Sequence, residues 1–480
     1  MNRRMIFSTV GKMVTAEALM LVLPVAAAVW YRESCVWSLL ITMAVAFALG
    51  QGMIHLSRPK DRVIYAKEGF CITALAWIVL SAIGALPFVI SREIPNYIDA
   101  FFETVSGFTT TGASILTNVE VMSRGLLFWR SFTHWVGGMG VLVFVMALLP
   151  GVTDRSIHIM RAEMPGPVVG KIVPKAKDTA SLLYKIYIVM TIVQIVLLLA
   201  GGMPVFDSIL HAFGTAGTGG FGIKADSIAG YSPYLQWVIT VFMLLFGINF
   251  NLFYLLLIRR FRSALQSTEL WTYLGIVLVS TGLITTNVLP RYAGFGEALR
   301  HSAFQVSSII TTTGYATTDF DLWPGFSKAV LLLLMFVGAC AGSTGGGFKV
   351  SRVVLLFKSV CRQLRLLVHP RGVSAVKFEG KTVDEPTMNG VGTYLAAYVF
   401  CFVAIVLLLC LEDMNFVTHF SAAAACFNNI GPGFGAVGPA ANYAAYSGFS
   451  KLLLSFAMLL GRLEIYPLLI ALVPGTWKRK

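Results

Sequence analysis

Charged residues are scarce in this chain: they make up 12% of its 480 residues, whereas hydrophobic residues make up 56%. Soluble domains carry about 25% charged residues, so the composition excludes an ordinary soluble enzyme or binding domain. Apolar runs such as Leu183–Gly202 and Tyr394–Leu411 approach the length of about 20 residues that crosses a bilayer as a helix. The composition therefore predicts an integral, multi-pass membrane protein.

Motifs for covalent chemistry are also lacking. The seven cysteines are scattered and include no Cys-x-x-Cys pair, which argues against a disulfide framework or a zinc site. Gly217–Gly222 has the spacing of a dinucleotide-binding fingerprint, but that motif requires a soluble strand–turn–helix context. Gly342–Gly347 resembles a phosphate-binding loop, but Phe348 follows the last glycine where that loop requires lysine. No enzyme activity and no organic cofactor are predicted.

The net charge of +14 does not predict nucleic-acid binding, because the basic residues follow the membrane topology instead of forming one patch. Most of the 37 lysines and arginines fall in every second connecting segment, above all in Arg155–Lys185 and Lys349–Lys381. An excess of basic residues marks cytoplasmic loops, so the N-terminus is predicted to be cytoplasmic. Such loops bind either anionic membrane lipids or a protein partner.

Four short strings rich in threonine, glycine or asparagine recur at intervals of about a hundred residues. They are string 1 (Thr109–Ala113), string 2 (Gly217–Phe221), string 3 (Thr311–Tyr315) and string 4 (Asn428–Pro432). Each follows a segment too short to cross a bilayer: Asn96–Phe108, Phe206–Thr215, Phe295–Ile310 and Phe416–Phe427. Non-helical backbone at membrane depth must be buried in protein or line a water-filled path. We therefore expect re-entrant segments, with plain extracellular loops as the alternative.

The repeated order of apolar helix, short segment, string and returning helix predicts an all-α integral membrane fold. It would consist of four pseudo-symmetric helix–pore-helix–filter–helix repeats around one pore, preceded by an N-terminal pair of transmembrane helices. The pair covers residues 1–68, and the repeats cover residues 69–180, 181–269, 270–387 and 388–480. In repeat 2 the returning helix is expected within the apolar run Leu235–Ile258.

Threonine and glycine suit a ring of backbone carbonyl oxygens, which is how proteins replace the hydration shell of a potassium ion. Successive carbonyls point to one side only if the backbone conformation alternates, and glycine adopts positive φ without steric cost. Threonine is stiff at χ1 and either packs outward or contributes a hydroxyl oxygen. Each short helix would direct the negative end of its dipole towards the cation. The strings therefore predict K+ as the transported ion.

Several further motifs, together with the strings, resemble the Trk/Ktr/HKT superfamily of cation transporters, and most closely its bacterial Trk-type potassium uptake subunits. These motifs are Arg161–Pro167, Gly342–Gly347, Leu366–Pro370 and Gly461–Glu464. The resemblance covers essentially the whole chain. It implies a protein of the bacterial cell inner membrane that forms a homodimer and works with a separate cytosolic, nucleotide-binding regulatory subunit (TrkA-like).

The resemblance also implies which residues contact the ion, namely the aligned glycine of each string and the two residues before it. These potassium-binding filter residues are Thr110, Thr111 and Gly112; Thr218, Gly219 and Gly220; Thr312, Thr313 and Gly314; and Asn429, Ile430 and Gly431. In the superfamily, glycine at all four aligned positions goes with potassium preference, and serine at the first goes with sodium. Because the four strings differ in sequence, permeation by sodium or rubidium stays open.

Two features below the strings are predicted to form a gate. The first is the run Gly342, Ser343, Thr344, Gly345, Gly346 and Gly347. Each glycine there costs about 1 kcal/mol in a helix relative to alanine, so the run is expected to break the helix. The alternative is that these small residues form a close helix–helix contact. The second is Arg462, within the apolar run Leu452–Leu472, where a charge is costly enough to suggest function. A structural ion pair is the alternative for Arg462, and the resemblance favours the gate.

Two other functions fit a membrane protein of this length. An ion-coupled secondary transporter, driven by protons or sodium, usually has inverted repeats and charged midplane sites, whereas these repeats all run in one direction. A polytopic membrane enzyme would require an acid–base or metal cluster, and the sequence shows none. Potassium uptake through a carbonyl-lined filter is the predicted function, with proton coupling left open.

Overall fold

The computed structural model describes residues 1–57, 65–140, 176–372 and 374–477, and these residues are mainly helical. The Arg161–Pro167 motif and most of the basic segment Arg155–Lys185 lie outside the described residues. Six of the described helices are long and apolar enough to cross a membrane, or seven if one bent pair counts as a single span. The predicted all-α membrane architecture is confirmed.

Each predicted segment of the chain contains several described helices. The N-terminal pair consists of two spans. The first contains α1 (Arg3–Met20) and α2 (Val22–Trp30), and the second is α3 (Val36–Ser57). Repeat 1 contains α4 (Ala66–Gly84), α5 (Leu86–Ile90), α6 (Tyr97–Phe108) and α7 (Arg124–Gly138). Repeat 2 contains α8 (Ala176–Ala200), α9 (Val205–Ala216), α10 (Pro233–Phe246), α11 (Phe250–Leu257) and α12 (Phe261–Leu265).

The second half of the chain repeats this order. Repeat 3 contains α13 (Thr268–Val288), α14 (Phe295–Ile310), α15 (Gly325–Val337), α16 (Val350–Val368) and the strands β1 (Lys377–Phe378) and β2 (Lys381–Thr382). The strands form an antiparallel hairpin in which Lys377 pairs with Thr382. Repeat 4 contains α17 (Glu385–Leu409), α18 (Phe416–Phe427), α19 (Gly448–Arg462), α20 (Tyr466–Leu472) and α21 (Pro474–Trp477).

The four short segments form the helices α6, α9, α14 and α18, with bounds close to those predicted. Two of them begin at asparagine caps, because Asn96 accepts a hydrogen bond from the Ile98 N–H at 2.9 Å and Asn415 accepts one from the Val417 N–H at 2.9 Å. Such caps satisfy backbone donors that have no partner inside the helix. Each short helix ends at a string.

The returning helix of repeat 2 is broken, although its apolar run predicts one span. Its halves, α10 and α11, are bent by 91° relative to each other. Gly247 lies so close to α13 that an added Cβ would be 2.7 Å from the Tyr273 hydroxyl. Asn249 then starts α11 by accepting a hydrogen bond from the Asn251 N–H at 3.0 Å. A tertiary contact and a local cap therefore fix the break.

The returning helix of repeat 4 is also interrupted. The apolar run Leu452–Leu472 does not form one helix, because α19 ends at Arg462 and α20 begins at Tyr466. Glu464 and Ile465 follow with φ of 55° and 65°. Arg462 therefore lies at the C-terminal end of a helix, where the helix dipole favours a positive charge.

Candidate ion pathway

Strings 1–4 share one backbone conformation. In each, the residue before the aligned glycine donates its N–H to the carbonyl five residues earlier. The four bonds run from Thr111 to Ser106 at 2.9 Å, and from Gly219 to Gly214, Thr313 to Ser308 and Ile430 to Ala425 at 2.8 Å. One hydrogen bond repeated at four aligned positions makes the strings structural equivalents, although their sequences differ.

Each string also contains two residues with positive φ. The values are 55° at Thr110, 54° at Thr218, 59° at Thr312 and 57° at Asn429, and 78° at Gly112, 72° at Gly220, 86° at Gly314 and 99° at Gly431. For threonine and asparagine this conformation costs of order 1–3 kcal/mol each. Strain of this kind concentrates at functional sites. The pattern is the alternation of conformation that a carbonyl ring requires.

The four strings lie side by side in a closed ring. Each aligned glycine faces the carbonyl oxygen of the residue before the glycine in the next string, and a Cβ added to it would come within 2.7 Å of that oxygen. The contacts are Gly112 with Gly219, Gly220 with Thr313, Gly314 with Ile430, and Gly431 with Thr111. String 4 thus returns to string 1, and no side chain fits at any of the four glycines without moving a carbonyl.

The threonine hydroxyls of strings 1 and 3 bond to neighbouring protein groups. Thr109 and Thr111 are joined through their hydroxyls at 2.8 Å, and Thr311 and Thr313 are joined in the same way at 2.8 Å. The Asn429 amide donates to the Thr111 hydroxyl at 2.9 Å and so ties string 4 to string 1. These hydroxyls are therefore engaged by protein groups of the same or a neighbouring string.

The glycine-rich segment Gly342–Gly347 lies against strings 3 and 4. It is not helical, because α15 ends at Val337 and α16 begins at Val350. The Gly346 N–H donates to the Thr312 hydroxyl at 2.6 Å, and a Cβ added to Gly346 would lie 2.6 Å from the Asn428 carbonyl oxygen. Glycine is required at this position because the two backbones are in direct contact. The segment does not form the close contact between two helices that was the alternative prediction.

Arg462 joins the glycine-rich segment to string 1. Its guanidinium donates to the Thr110 hydroxyl at 3.1 Å and to the Thr344 carbonyl at 2.9 Å. It also donates to the Gly138 carbonyl at 2.7 Å and to the Gly137 carbonyl, at the end of α7. The two features that the sequence singles out as a gate are thus in direct contact.

Lys349 and Glu464 line the same cavity as Arg462, and neither is a gate residue in the sequence-based prediction. Lys349 is 2% exposed and donates through Nζ to the Gly345 carbonyl. Glu464 forms an ion pair with Arg352 at 2.6 Å. The signal for Lys349 was a basic residue two positions after a glycine run that interrupts an apolar segment, where an ionisable group is costly.

Glu269 holds both ends of the glycine-rich segment. One of its carboxylate oxygens accepts the Ala341 N–H at 2.7 Å and the Ser351 N–H at 3.1 Å. The N-terminus of α13, which carries Glu269, is in turn capped by Glu379 of the β1–β2 hairpin, which accepts the Glu269 N–H at 3.0 Å. No sequence pattern predicts these contacts, because the partners are far apart in the chain.

Comparison with known proteins gives consistent similarities. A TrkH family model, described as a cation transport protein, matches residues 38–275 and 264–477. The chain is 37% identical to the Trk system potassium uptake protein TrkH of Salmonella typhimurium, with 100% of both chains covered, and 34% identical to TrkG of Escherichia coli, with 99% of each covered. It is similar to the crystal structure of the potassium transporter TrkH from Vibrio parahaemolyticus, with a TM-score of 0.88, 32% identity and 100% of both chains covered.

Proposed function

This chain belongs to the TrkH family of cation transport proteins, and on that premise we propose that it takes up potassium ions through the ring of strings 1–4. It acts as the multi-pass inner-membrane subunit of a Trk-type system and is not an enzyme. The observation that supports this pathway is the closed ring, in which four equivalent backbones of one chain each contact the next.

The filter is formed by the twelve residues named from the sequence, three in each string. Backbone carbonyls replace the hydration shell of K+ without adding net charge. The short helices α6, α9, α14 and α18 end at the strings, so the negative ends of their dipoles favour a cation. Glycine at all four aligned positions supports potassium over sodium, since the ring has no room for a side chain there.

The gate consists of the glycine-rich segment Gly342–Gly347 and Arg462. In the closed state Arg462 holds the Thr344 carbonyl, and the segment also bonds to string 3 through Gly346. A positive charge and a segment of backbone then obstruct the path next to the filter. Opening requires these bonds to break together, so that Arg462 and the segment leave the path.

The protein works as a homodimer with a cytosolic, nucleotide-binding, TrkA-like regulatory subunit. The relatives are named as proteins of a Trk system, which supports partnership within such a system. The basic surface of α16, which includes Lys358 and Arg365, meets either anionic membrane lipids or this subunit. Light scattering of the detergent-solubilised chain, with and without the purified regulator, tests both assemblies.

The alternative mechanism is ion-coupled secondary transport. Four strings of the same chain direction around one ring support a pore, whereas carriers of that class are usually built from inverted repeats. Uptake measured in vesicles with an imposed proton or sodium gradient, but no potassium gradient, separates the two. A pore gives no net potassium accumulation beyond that set by the membrane potential, and a carrier gives accumulation driven by the second ion.

Replacing Gly112 by serine tests the filter. The added side chain must displace the Gly219 carbonyl, so we expect the ratio of potassium to sodium flux in proteoliposomes to fall by about tenfold, equivalent to about 1.4 kcal/mol of discrimination. Gly282→Ser is the matched control, because a Cβ at Gly282 meets nothing within 4 Å. A Gly112→Ser protein with an unchanged flux ratio would reject the filter assignment.

A second test asks whether the chain supports potassium uptake in cells. A bacterial strain that lacks its own potassium uptake systems should grow at low potassium when it carries this chain, and better when a regulatory subunit is co-expressed. No growth at low potassium, with the chain present in the membrane fraction, would contradict uptake.

A further inference from the structure

Glu103 and Arg130 form a buried ion pair beside the ring. The Arg130 Nε lies 2.6 Å from the Glu103 Oε1, and the two side chains are 4% and 0% exposed. Glu103 belongs to α6 and Arg130 to α7. Because the cost of desolvating two charges offsets much of their attraction, a buried pair is weak evidence for stability. Its remaining contacts indicate what it does.

Glu103 fixes the segment that leaves string 1. Its Oε1 accepts the Ser114 hydroxyl at 2.9 Å, and its Oε2 accepts the Ile115 N–H at 2.9 Å. Ser114 and Ile115 directly follow string 1. Hydrogen bonds to an ionised acceptor are about twice as strong as neutral ones, so the carboxylate holds this backbone firmly.

Arg130 fixes the same part of string 2. Its second nitrogen donates to the Gly222 carbonyl at 2.9 Å, and its guanidinium carbon lies 3.5 Å from the centre of the Phe221 ring. A cation over an aromatic face is attracted by the ring electrons. Phe221 ends string 2 and Gly222 follows it. Through its ion pair with Glu103, Arg130 thus links the segment directly after string 1 to the segment directly after string 2.

Among the described residues, no other ion pair bonds to the residues directly after two strings. The segments that follow strings 3 and 4 are joined by a carboxylate, since Asp321 accepts the Gly435 N–H at 3.1 Å, but Lys328, which pairs with Asp321 at 3.6 Å, belongs to the same repeat as Asp321.

Tyr443 joins strings 4 and 1, because its hydroxyl donates to the Gly431 carbonyl at 2.7 Å and its N–H donates to the Ser114 carbonyl, directly after string 1, at 2.8 Å. Tyr315 of string 3 donates its hydroxyl to the Phe221 carbonyl of string 2 at 3.5 Å. The residues at the position of Glu103, nine before each aligned glycine, are Glu103, His211, Gln305 and Ala422. Only repeat 1 places a carboxylate behind its string.

We propose that Glu103 and Arg130 are positioning residues that set ion selectivity by fixing the spacing between strings 1 and 2. This inference rests on the proposed filter. A carbonyl ring discriminates between cations through its size and the number and field of its oxygens. At this junction Gly112 packs against the Gly219 carbonyl, so a change in spacing moves an oxygen of the ring. The pair touches no ion and acts through the two backbones.

Arg130→Lys is the test variant, because lysine keeps the charge next to Glu103 but lacks the planar fork that also reaches Gly222. We expect this protein to fold and to transport potassium, with a potassium-to-sodium flux ratio about tenfold lower than that of the unmodified chain. An unchanged ratio at equal potassium flux would overturn the proposal.

A second variant covers the case in which Arg130→Lys does not fold. Glu103→Gln/Arg130→Gln removes both charges and so leaves neither buried without a partner, and its flux ratio should fall by a similar factor; an unchanged ratio overturns the proposal here too. Asp99→Asn/Lys451→Gln is the matched control, because it neutralises another ion pair of α6, at 2.7 Å, that joins α6 to α19. This control should keep the original ratio.

The Gly112→Ser result separates failure of this inference from failure of the filter. If Gly112→Ser changes the flux ratio and Arg130→Lys does not, the filter stands and the positioning role is wrong. If neither changes the ratio, the filter assignment itself is wrong.

Discussion

The guanidinium of Arg462 donates a hydrogen bond to the Thr344 carbonyl oxygen at 2.9 Å. The two residues are distant in the chain, and the bond connects the end of α19 to the middle of the glycine-rich segment. The same guanidinium reaches Thr110 of string 1. Movement of the segment away from the ring is therefore coupled to movement of the charge.

The first prediction concerns Arg462→Gln. Glutamine removes the charge next to the ring and weakens the bond to Thr344, and hydrogen bonds to a charged group contribute about 1.5–3 kcal/mol. We expect potassium flux in the absence of a regulator to rise by about tenfold. The unregulated flux is measured as the uptake of K+ or of a potassium analogue into proteoliposomes.

Arg260→Gln provides the control for that variant, since Arg260 is exposed and its loss removes one basic residue without touching the ring. Flux through Arg260→Gln should equal that of the original chain. If Arg462→Gln reaches the membrane with flux no higher than this control, the gate assignment of Arg462 is wrong.

The second prediction concerns Gly346→Ala. An added methyl group would lie 2.6 Å from the Asn428 carbonyl oxygen and 3.1 Å from the Asn429 Cβ. Overpacking of this kind costs about 1–3 kcal/mol, and the glycine-rich segment relieves it by moving away from string 4. We expect a lower unfolding temperature and a higher unregulated potassium flux.

Gly282→Ala is the matched control, because the same methyl group meets nothing within 4 Å and alanine favours a helix over glycine by about 1 kcal/mol. Its unfolding temperature should be equal or slightly higher. A Gly346→Ala protein as stable as this control would mean that the segment does not pack against string 4 as described.

The third prediction concerns Glu269, which anchors both ends of the glycine-rich segment. Glu269→Ala leaves the Ala341 and Ser351 N–H groups without their acceptor, and each unsatisfied buried donor costs about 1–3 kcal/mol. Glu269→Gln keeps an acceptor oxygen and should lose less. Thermal unfolding in detergent should therefore rank the original chain first, Glu269→Gln second and Glu269→Ala last.

Glu385 supplies the comparison for Glu269. Its side chain is 62% exposed in an ion pair with Arg362, and exposed pairs contribute about 0–1 kcal/mol. Glu385→Ala should leave the unfolding temperature nearly unchanged. Equal effects of Glu269→Ala and Glu385→Ala would show that Glu269 is not an anchor.

The strings and short helices could be predicted from the sequence because their determinants are local. Thr109–Ala113 and its three counterparts carry glycine at one of the two positions with positive φ. Each short helix ends at a string, and two of the four begin at asparagine caps. The all-α class and the membrane location follow equally from composition and apolar length. These signals need no knowledge of which segments meet.

The breaks in the returning helices could not be predicted in the same way. The end of α10 depends on the contact of Gly247 with Tyr273, and the run Leu235–Ile258 is apolar on both sides of it. Glu103 and Arg130 are likewise ordinary charged residues in the sequence. They matter because folding brings together the segments that follow strings 1 and 2, which belong to different repeats.

The last prediction concerns Lys349, the second cation of the cavity that contains Arg462. Lys349→Met keeps the apolar stem, which packs in the protein interior, and removes the charge and the bond to the Gly345 carbonyl. We expect unregulated potassium flux to rise, as for Arg462→Gln. Because both residues hold the same segment, their effects should not add, as is usual for groups in one network. The double variant Lys349→Met/Arg462→Gln should therefore have an unregulated potassium flux only slightly higher than that of the more conductive single variant. If the two increases in flux multiply fully, the two cations act independently.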